Sequence, residues 1–254
     1  MAAGRVIGPG IVLGIGLGGF FDGILLHQIL QWHHLLSLVP GMTDIRSQIL
    51  WDGLFHGLMY VLAAVGLFGL WRAHRGTQPL RGRALAASVL IGFGLWHILD
   101  NVLSHWLLGI HRIRDDSPNP LLWDLIWLAA FGIVPILLAV TLLRGQDNGS
   151  GSAHAGRMTL LLGVLTIGTG AWALRTPPDM PLSAVIFRAS TTAEQVEASL
   201  AATGARIVWA DPAAGVALLQ VPRRNSWAFY RHGALMVTGS GMPPGCFAFS
   251  RLHA

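Results

Sequence analysis

Five stretches of this chain are apolar for long enough to cross a bilayer, and this constrains the fold before any motif is considered. A hydrocarbon core takes roughly 20 residues of helix to span, and residues 11–36, 49–71, 85–110, 121–143 and 158–174 meet that length. Backbone groups in lipid must be satisfied within their own segment, so each stretch reads as a helix. Composition agrees, with 53% apolar and only 11% charged residues among 254 and a mean hydropathy of +0.56. The first run is too long for a secretory signal and lacks an early small-x-small cleavage site, so it is expected to be retained.

All 17 basic residues are arginine, and they orient the helices. Arg72, Arg75, Arg81 and Arg83 lie between the second and third runs, Arg144 and Arg157 border the loop after the fourth, and Arg5 precedes the first. The other side carries only Arg46, Arg112 and Arg114. An excess of arginine marks cytoplasmic loops, which predicts a cytoplasmic N-terminus and an extracytoplasmic C-terminal part. The sequence pI near 10.9 follows from these loops. No basic run with interleaved aromatics accompanies it, so no nucleic-acid partner is expected. Cys246 is the single cysteine, so an internal disulfide, a Cys-x-x-Cys pair and a thiolate cluster are excluded.

Within the first run, F-F-D-G-I-L-L-H-Q-I-L-Q-W-H-H places Asp22, His27, His33 and His34 where ionisable groups are costly and so mark function. Asp22, His27 and His33 have the spacing Asp-x4-His-x5-His. Asp100, His105 and His111 repeat it 78 positions on (22 to 100, 27 to 105, 33 to 111). The partner runs match too, with Trp51-Asp52 at the start of the second and Trp123-Asp124 at the start of the fourth, although Leu128 stands where His56 would recur. Two hairpins of one design predict parallel repeats about an axis along the membrane normal, with a shared site between them.

On ideal helices, at about 100° and 1.5 Å per residue, Asp22 and His33 share one stripe while His27 and His34 share another. Depth counting puts His27, His56 and His105 at one level near the outer face, with Asp52 one turn from His56. The expected metal set is therefore His27, His56, His105 and Asp52, with His33, His34 and His111 at the mouth. Asp22 and Asp100, roughly 7 Å deeper, together with His97, are expected to orient imidazoles or relay protons. Asp124 reads as the partner of a loop arginine or a helix N-terminus. Met236, Met242 and Cys246 read as ordinary domain residues. Nitrogen and oxygen donors without thiolate favour copper or iron, admit zinc and manganese, and argue against calcium or an iron–sulfur cluster. Haem on two axial histidines is the alternative cofactor.

Residues 146–157 read as a flexible linker. After the fifth run, residues 176–254 read as a small soluble domain: strand 182–189, helix 191–204 with Thr191 and Glu194 as a capping box and Gly204 as the stop, strands 205–210 and 216–221, a short helix 225–232 and strand 234–238. That order predicts a ferredoxin-like fold. A metal-chaperone domain of that fold would carry paired cysteines where Ala189 to Thr192 stand, so a binding or capping role is expected, with a membrane or extracytoplasmic protein as the partner.

The motif G-G-F-F-D-G-I-L-L-H-Q-I-L-Q-W-H-H, followed by W-D-G-L-F-H and the second Asp-x4-His-x5-His, resembles an uncharacterised bacterial integral-membrane family, domain of unknown function 2243, over about residues 10–143. In that family's pattern the second element has Glu-Gly before Asp-His-His and ends His-His-x-Arg, whereas this chain has Leu99-Asp100-Asn101 and Gly109 to Arg114. The resemblance implies a multi-pass protein of the bacterial inner membrane and supplies no activity. The expected fold is an all-α transmembrane bundle of five helices, two parallel hairpin repeats plus one, with a C-terminal α+β ferredoxin-like domain. The four-helix core occupies residues 1–145, the fifth helix 158–175 and the domain 176–254. The functional expectation is a membrane metalloprotein with redox chemistry. The alternatives are a metal transporter or delivery accessory, for which polar residues should continue inward, and a structural subunit whose polar groups only join helices.

Overall fold

The computed structural model describes residues 4–30, 32–75, 82–144, 182–222 and 226–237, with five further positions between 157 and 168. The linker and the fifth span lie outside the described residues except for those few positions, as do Met242 and Cys246. The chain forms two compact units, one of residues 1–42 and 51–167, the other of residues 43–50 and 168–254.

In the first unit, helix α1 (Gly4–Asp22) runs into a π-helical turn (Gly23–Ile29), and α3 (Gly82–Leu99) runs into another (Asp100–Leu107). Helix α2 spans Ile45–His74. The fourth segment is α4 (Pro120–Trp127), a π-helical turn (Leu128–Ile133) and α5 (Val134–Arg144). Asn119 caps α4 by accepting from the Leu122 N–H at 3.3 Å, ahead of Pro120 at the first helical position. The ring of Pro135 would crowd the carbonyl four residues earlier, and the wider turn just ahead of it relieves that clash. Four stretches among the described residues are long and apolar enough to cross a membrane: Val6–His27, Arg46–His74, Gly82–Leu107 and Pro120–Arg144. Leu54, Leu58, Val65 and Phe68 on α2, with Leu125, Val134, Leu137 and Leu138 on the fourth span, point outward, as lipid-facing side chains should.

Helices α1 and α3 are the inner pair, and glycine lets them touch backbone to backbone. A Cβ on Gly14 would stand 2.1 Å from the Val89 carbonyl oxygen, and one on Gly92 would stand 2.0 Å from that of Ile11. Van der Waals packing at such small-residue crossings is what drives helix association in lipid. Val6, Leu13, Ala63, Leu70, Ala84 and Leu85 close the half of the bundle away from the ionisable groups.

The first and third helical segments end sooner than their apolar runs suggest, at Ile29 and Leu107 in place of residues 36 and 110. His33, His34 and His111 consequently sit in loops that fold back over the helix ends. The loops bind each other, with Leu38 N–H donating to the Ile110 carbonyl at 2.9 Å and Asp115 N–H to that of Trp32 at 3.2 Å. Ser37 also donates to the Asp115 carboxylate.

The second unit holds strands β1 (Leu182–Phe187), β2 (Arg206–Asp211), β3 (Val216–Gln220) and β4 (Ala234–Val237), helix α6 (Ala193–Thr203) and a 3₁₀ helix (Ser226–His232). The sheet order is β2-β3-β1-β4, with every neighbouring pair antiparallel. Leu182 faces Gln220 and Ile186 faces Val216 across β1 and β3. Val185, Phe187, Leu219, Phe229 and Ala234 make its core. Helix α6 starts one residue later than its sequence suggests. Thr192 accepts from Gln195 N–H and Gln195 answers on Thr192 N–H, which displaces the expected Thr191–Glu194 box. Gly204 ends the helix at φ 67°. Arg46 of this unit donates to the Phe187 carbonyl at 3.1 Å, and Ile49 packs with Ile186 and Val216.

Candidate metal centre

The spacing Asp-x4-His places its two residues five apart, which is one turn of a π-helix. Each π-helical turn therefore stacks the histidine over the aspartate, where an α-helix would have set them on different faces. The returning loop then brings the last histidine back. Two groups result, Asp22 with His27 and His33, and Asp100 with His105 and His111, each with its ligand atoms within 4.8 Å of one another. All six residues are buried.

The groups interlock. The rings of His33 and His111 stack at 4.5 Å and 5° between planes, and His27 meets His33 at 4.7 Å as His105 meets His111 at 4.8 Å. His33 Nδ1–H donates to the Ile113 carbonyl at 3.0 Å, and His111 Nδ1–H donates to that of Leu35 at 2.9 Å. A neutral imidazole that donates through Nδ1 keeps a bare lone pair on Nε2. Burial, with His111 and His27 alongside, pushes the His33 imidazole well below its ordinary pKa and keeps it neutral.

His27 and His105 turn their Nδ1 atoms to carboxylates, Asp52 Oδ1 at 3.2 Å and Asp124 Oδ1 at 3.1 Å. Those carboxylates are themselves fixed alike. Asp52 accepts from Leu35 N–H at 2.9 Å and from His34 Nδ1–H at 2.7 Å. Asp124 accepts from Ile113 N–H at 3.1 Å, Arg112 Nη1 at 2.8 Å and Trp106 Nε1 at 3.2 Å.

The Nε2 atoms of His27, His33, His105 and His111 are buried with no hydrogen-bond partner, as are Asp22 Oδ1 and the Nδ1 atoms of His27 and His105, which stand close to their carboxylates without the alignment of a hydrogen bond. Asp100 sits close to two of them, with Oδ2 at 3.1 Å from His105 Nε2 and Oδ1 at 3.5 Å from His111 Nε2. These contacts are too poorly aligned to be hydrogen bonds. Their lengths are those of donors sharing an ion, since bonds of about 2.0–2.2 Å set neighbouring donors roughly 3–3.5 Å apart. Buried unpartnered polar atoms are rare in folded proteins and call for a reason.

The model of a predicted membrane protein family, DUF2243, matches residues 9–146, more than half of the chain. The chain belongs to the DUF2243 family. No curated protein and no solved structure matches it. The DUF2243 segment contains both Asp–His–His groups together with Asp52 and Asp124, and stops short of the second unit's sheet.

Other expected site residues fall elsewhere. His56 donates through Nδ1 to the carbonyl of Asp52, 2.7 Å away and one turn back in its own helix, and belongs to neither group. The Asp52 carboxylate is engaged by His27, His34 and Leu35. His34 is part-exposed, its side chain 26% accessible. His97 is walled by Phe21, Phe93, Trp127 and Phe131, and its Nδ1 accepts from Trp127 Nε1 at 3.1 Å, which leaves its proton on Nε2. Asp124 pairs with the loop arginine Arg112, as expected, but also faces His105. The matched Trp51-Asp52 and Trp123-Asp124 pairs were the signal for that second role.

Proposed function

We propose that this DUF2243 protein is an integral membrane metalloprotein whose centre binds a transition metal through Asp22, His27, His33, Asp100, His105 and His111. Asp52 and Asp124 act from behind, holding His27 and His105. The observation that carries the reading is the set of four buried imidazoles with bare or unpartnered Nε2 atoms, each with its Nδ1 turned to a carbonyl or carboxylate. A metal-bound histidine is oriented in just this way. Copper or iron suits the donors, with zinc admissible, and either would supply electron transfer. Stacked His33 and His111 leave no slot between them for a macrocycle, which favours bare ions over haem.

The paired hydrogen bonds, π-helical turns and Gly14–Gly92 crossing support an internal repeat with its axis between α1 and α3. The strand order β2-β3-β1-β4 supports a ferredoxin-like second unit. The arginine distribution supports an inner-membrane protein with a cytoplasmic N-terminus and the C-terminal domain outside. The apolar packing of Val6, Leu13, Ala63, Leu70, Ala84 and Leu85 beyond Asp22 and Asp100 favours a resident centre over a conduit.

The test is metal analysis by mass spectrometry of protein purified in detergent, with His33→Gln and His105→Gln compared with His74→Gln. Stoichiometric metal lost only in the first two supports the reading. Metal-free wild-type protein that takes up no copper, iron or zinc overturns it.

A further inference from the structure

We infer that the second unit lays the open face of its sheet, along the edge strand β2, against the lipid headgroups of the membrane. The sheet has two unlike faces. Val185, Phe187, Ala217 and Leu219 turn to helix α6 and the 3₁₀ helix, packing with Val196, Leu200 and Phe229. Ile186, Val216 and Met236 turn the other way and meet Ile49, near the start of α2. That helical stretch decides what the open face looks at. Residues 43–50 belong to this unit, yet the apolar span Arg46–His74 has already begun within them. A sheet face that packs on Ile49 therefore lies at the level where α2 enters the bilayer.

Strand β2 carries that face outward. Among the described residues it is an edge strand, and Ile207, Val208 and Trp209 are 52%, 55% and 38% exposed. A bulge between Ile207 and Trp209 sets how they point. Arg206 pairs with Gln220 and Trp209 with Leu218, so both stand on the open face beside Val216 although they are three residues apart. Tryptophan favours the headgroup level of a membrane, where its ring meets the apolar boundary and its N–H meets water. Arginine beside it offers a charged partner to lipid phosphate. The bulge also argues against the rival occupant, a strand from a second copy or from a peptide, because it breaks the regular ladder that such pairing needs. Open sheet edges are not tolerated within hydrocarbon, so the contact is with headgroups and not with the middle of the bilayer.

The experiment uses the full chain in phospholipid nanodiscs, with the single cysteine removed as Cys246→Ser and a nitroxide attached at Val208→Cys or, for comparison, at Glu197→Cys on α6, which covers the opposite face of the sheet. Electron paramagnetic resonance power saturation then compares collisions with oxygen, which concentrates in lipid, and with a soluble nickel chelate, which stays in water. The expected result is a higher ratio of oxygen to nickel collisions at position 208 than at 197, with the difference lost when Trp209→Glu is added. Equal ratios at the two positions would place β2 in water and overturn the proposal. So would a label at 208 shielded from both reagents, which means a covering of protein, or dipolar broadening between labels, which means a second copy. A ratio at 208 that Trp209→Glu leaves unchanged would overturn the part given to tryptophan. The measurement needs no metal, so its outcome is independent of the metal reading above.

Discussion

Replacing Asp124 by asparagine tests whether a residue outside the ligand groups governs one of them. The carboxylate accepts from Ile113 N–H on Oδ1 and from Arg112 Nη1 and Trp106 Nε1 on Oδ2, and its Oδ1 faces His105 Nδ1 at 3.1 Å, so it has four neighbours to serve. Asparagine has the same shape but one oxygen, so two of these must face an NH₂ group. If the oxygen stays toward Arg112, the amide donates to His105 Nδ1, and the imidazole answers by moving its proton to Nε2, the atom that should bind metal. If the oxygen stays toward His105, the guanidinium faces a donor and loses a charged partner. Loss of an orienting partner behind a metal-bound histidine costs about 10–100-fold in affinity, or about 1.4–2.7 kcal/mol. Competition with a chelator of known affinity, on protein in detergent, measures it. Asp124→Asn should lose affinity in that range for the ion on Asp100, His105 and His111. An affinity within twofold of wild type would refute the orienting role.

Further outcomes follow from single contacts. Gly92→Val drives a side chain into the Ile11 carbonyl, and since backbone has no room to give, it should destabilise the bundle by about 1–3 kcal/mol or more, seen as aggregation on size-exclusion chromatography. His56→Gln should leave metal content unchanged by mass spectrometry, because its Nδ1 serves the Asp52 carbonyl in its own helix. Thr192→Ala should cost about 1 kcal/mol of stability in chemical denaturation, and Glu194→Ala should stay within about 0.5 kcal/mol.

The membrane spans were legible because apolar length is a direct consequence of bilayer thickness. The repeated Asp-x4-His-x5-His was legible as a pattern, and its members do come together. Their arrangement was not legible, for one local reason. A wheel drawn at the α-helical angle parts Asp22 from His27 and joins Asp22 to His33 along a helix that the chain does not continue. The π-helical turn over Gly23–Ile29 brings His27 to Asp22, the returning loop brings His33 to both, and nothing in G-I-L-L-H-Q-I announces an i to i+5 bond. The depth count that joined His56 to His27 does bring their rings to 6.4 Å, but His56 stands in neither group, its Nδ1 turned to the carbonyl of Asp52. In the second unit, the box expected on Thr191 and Glu194 falls one residue later, on Thr192 and Gln195. The Gln195 side chain returning to Thr192 N–H settles that frame.

The most direct measurement is an anomalous-difference map from crystals of the protein, collected across the absorption edge of the metal it carries. The account predicts density within about 2.0–2.2 Å of the Nε2 atoms of His27, His33, His105 and His111, between the Asp22 and Asp100 carboxylates. A map with no peak there, or with its peak on His56 and the Asp52 carboxylate, would contradict it.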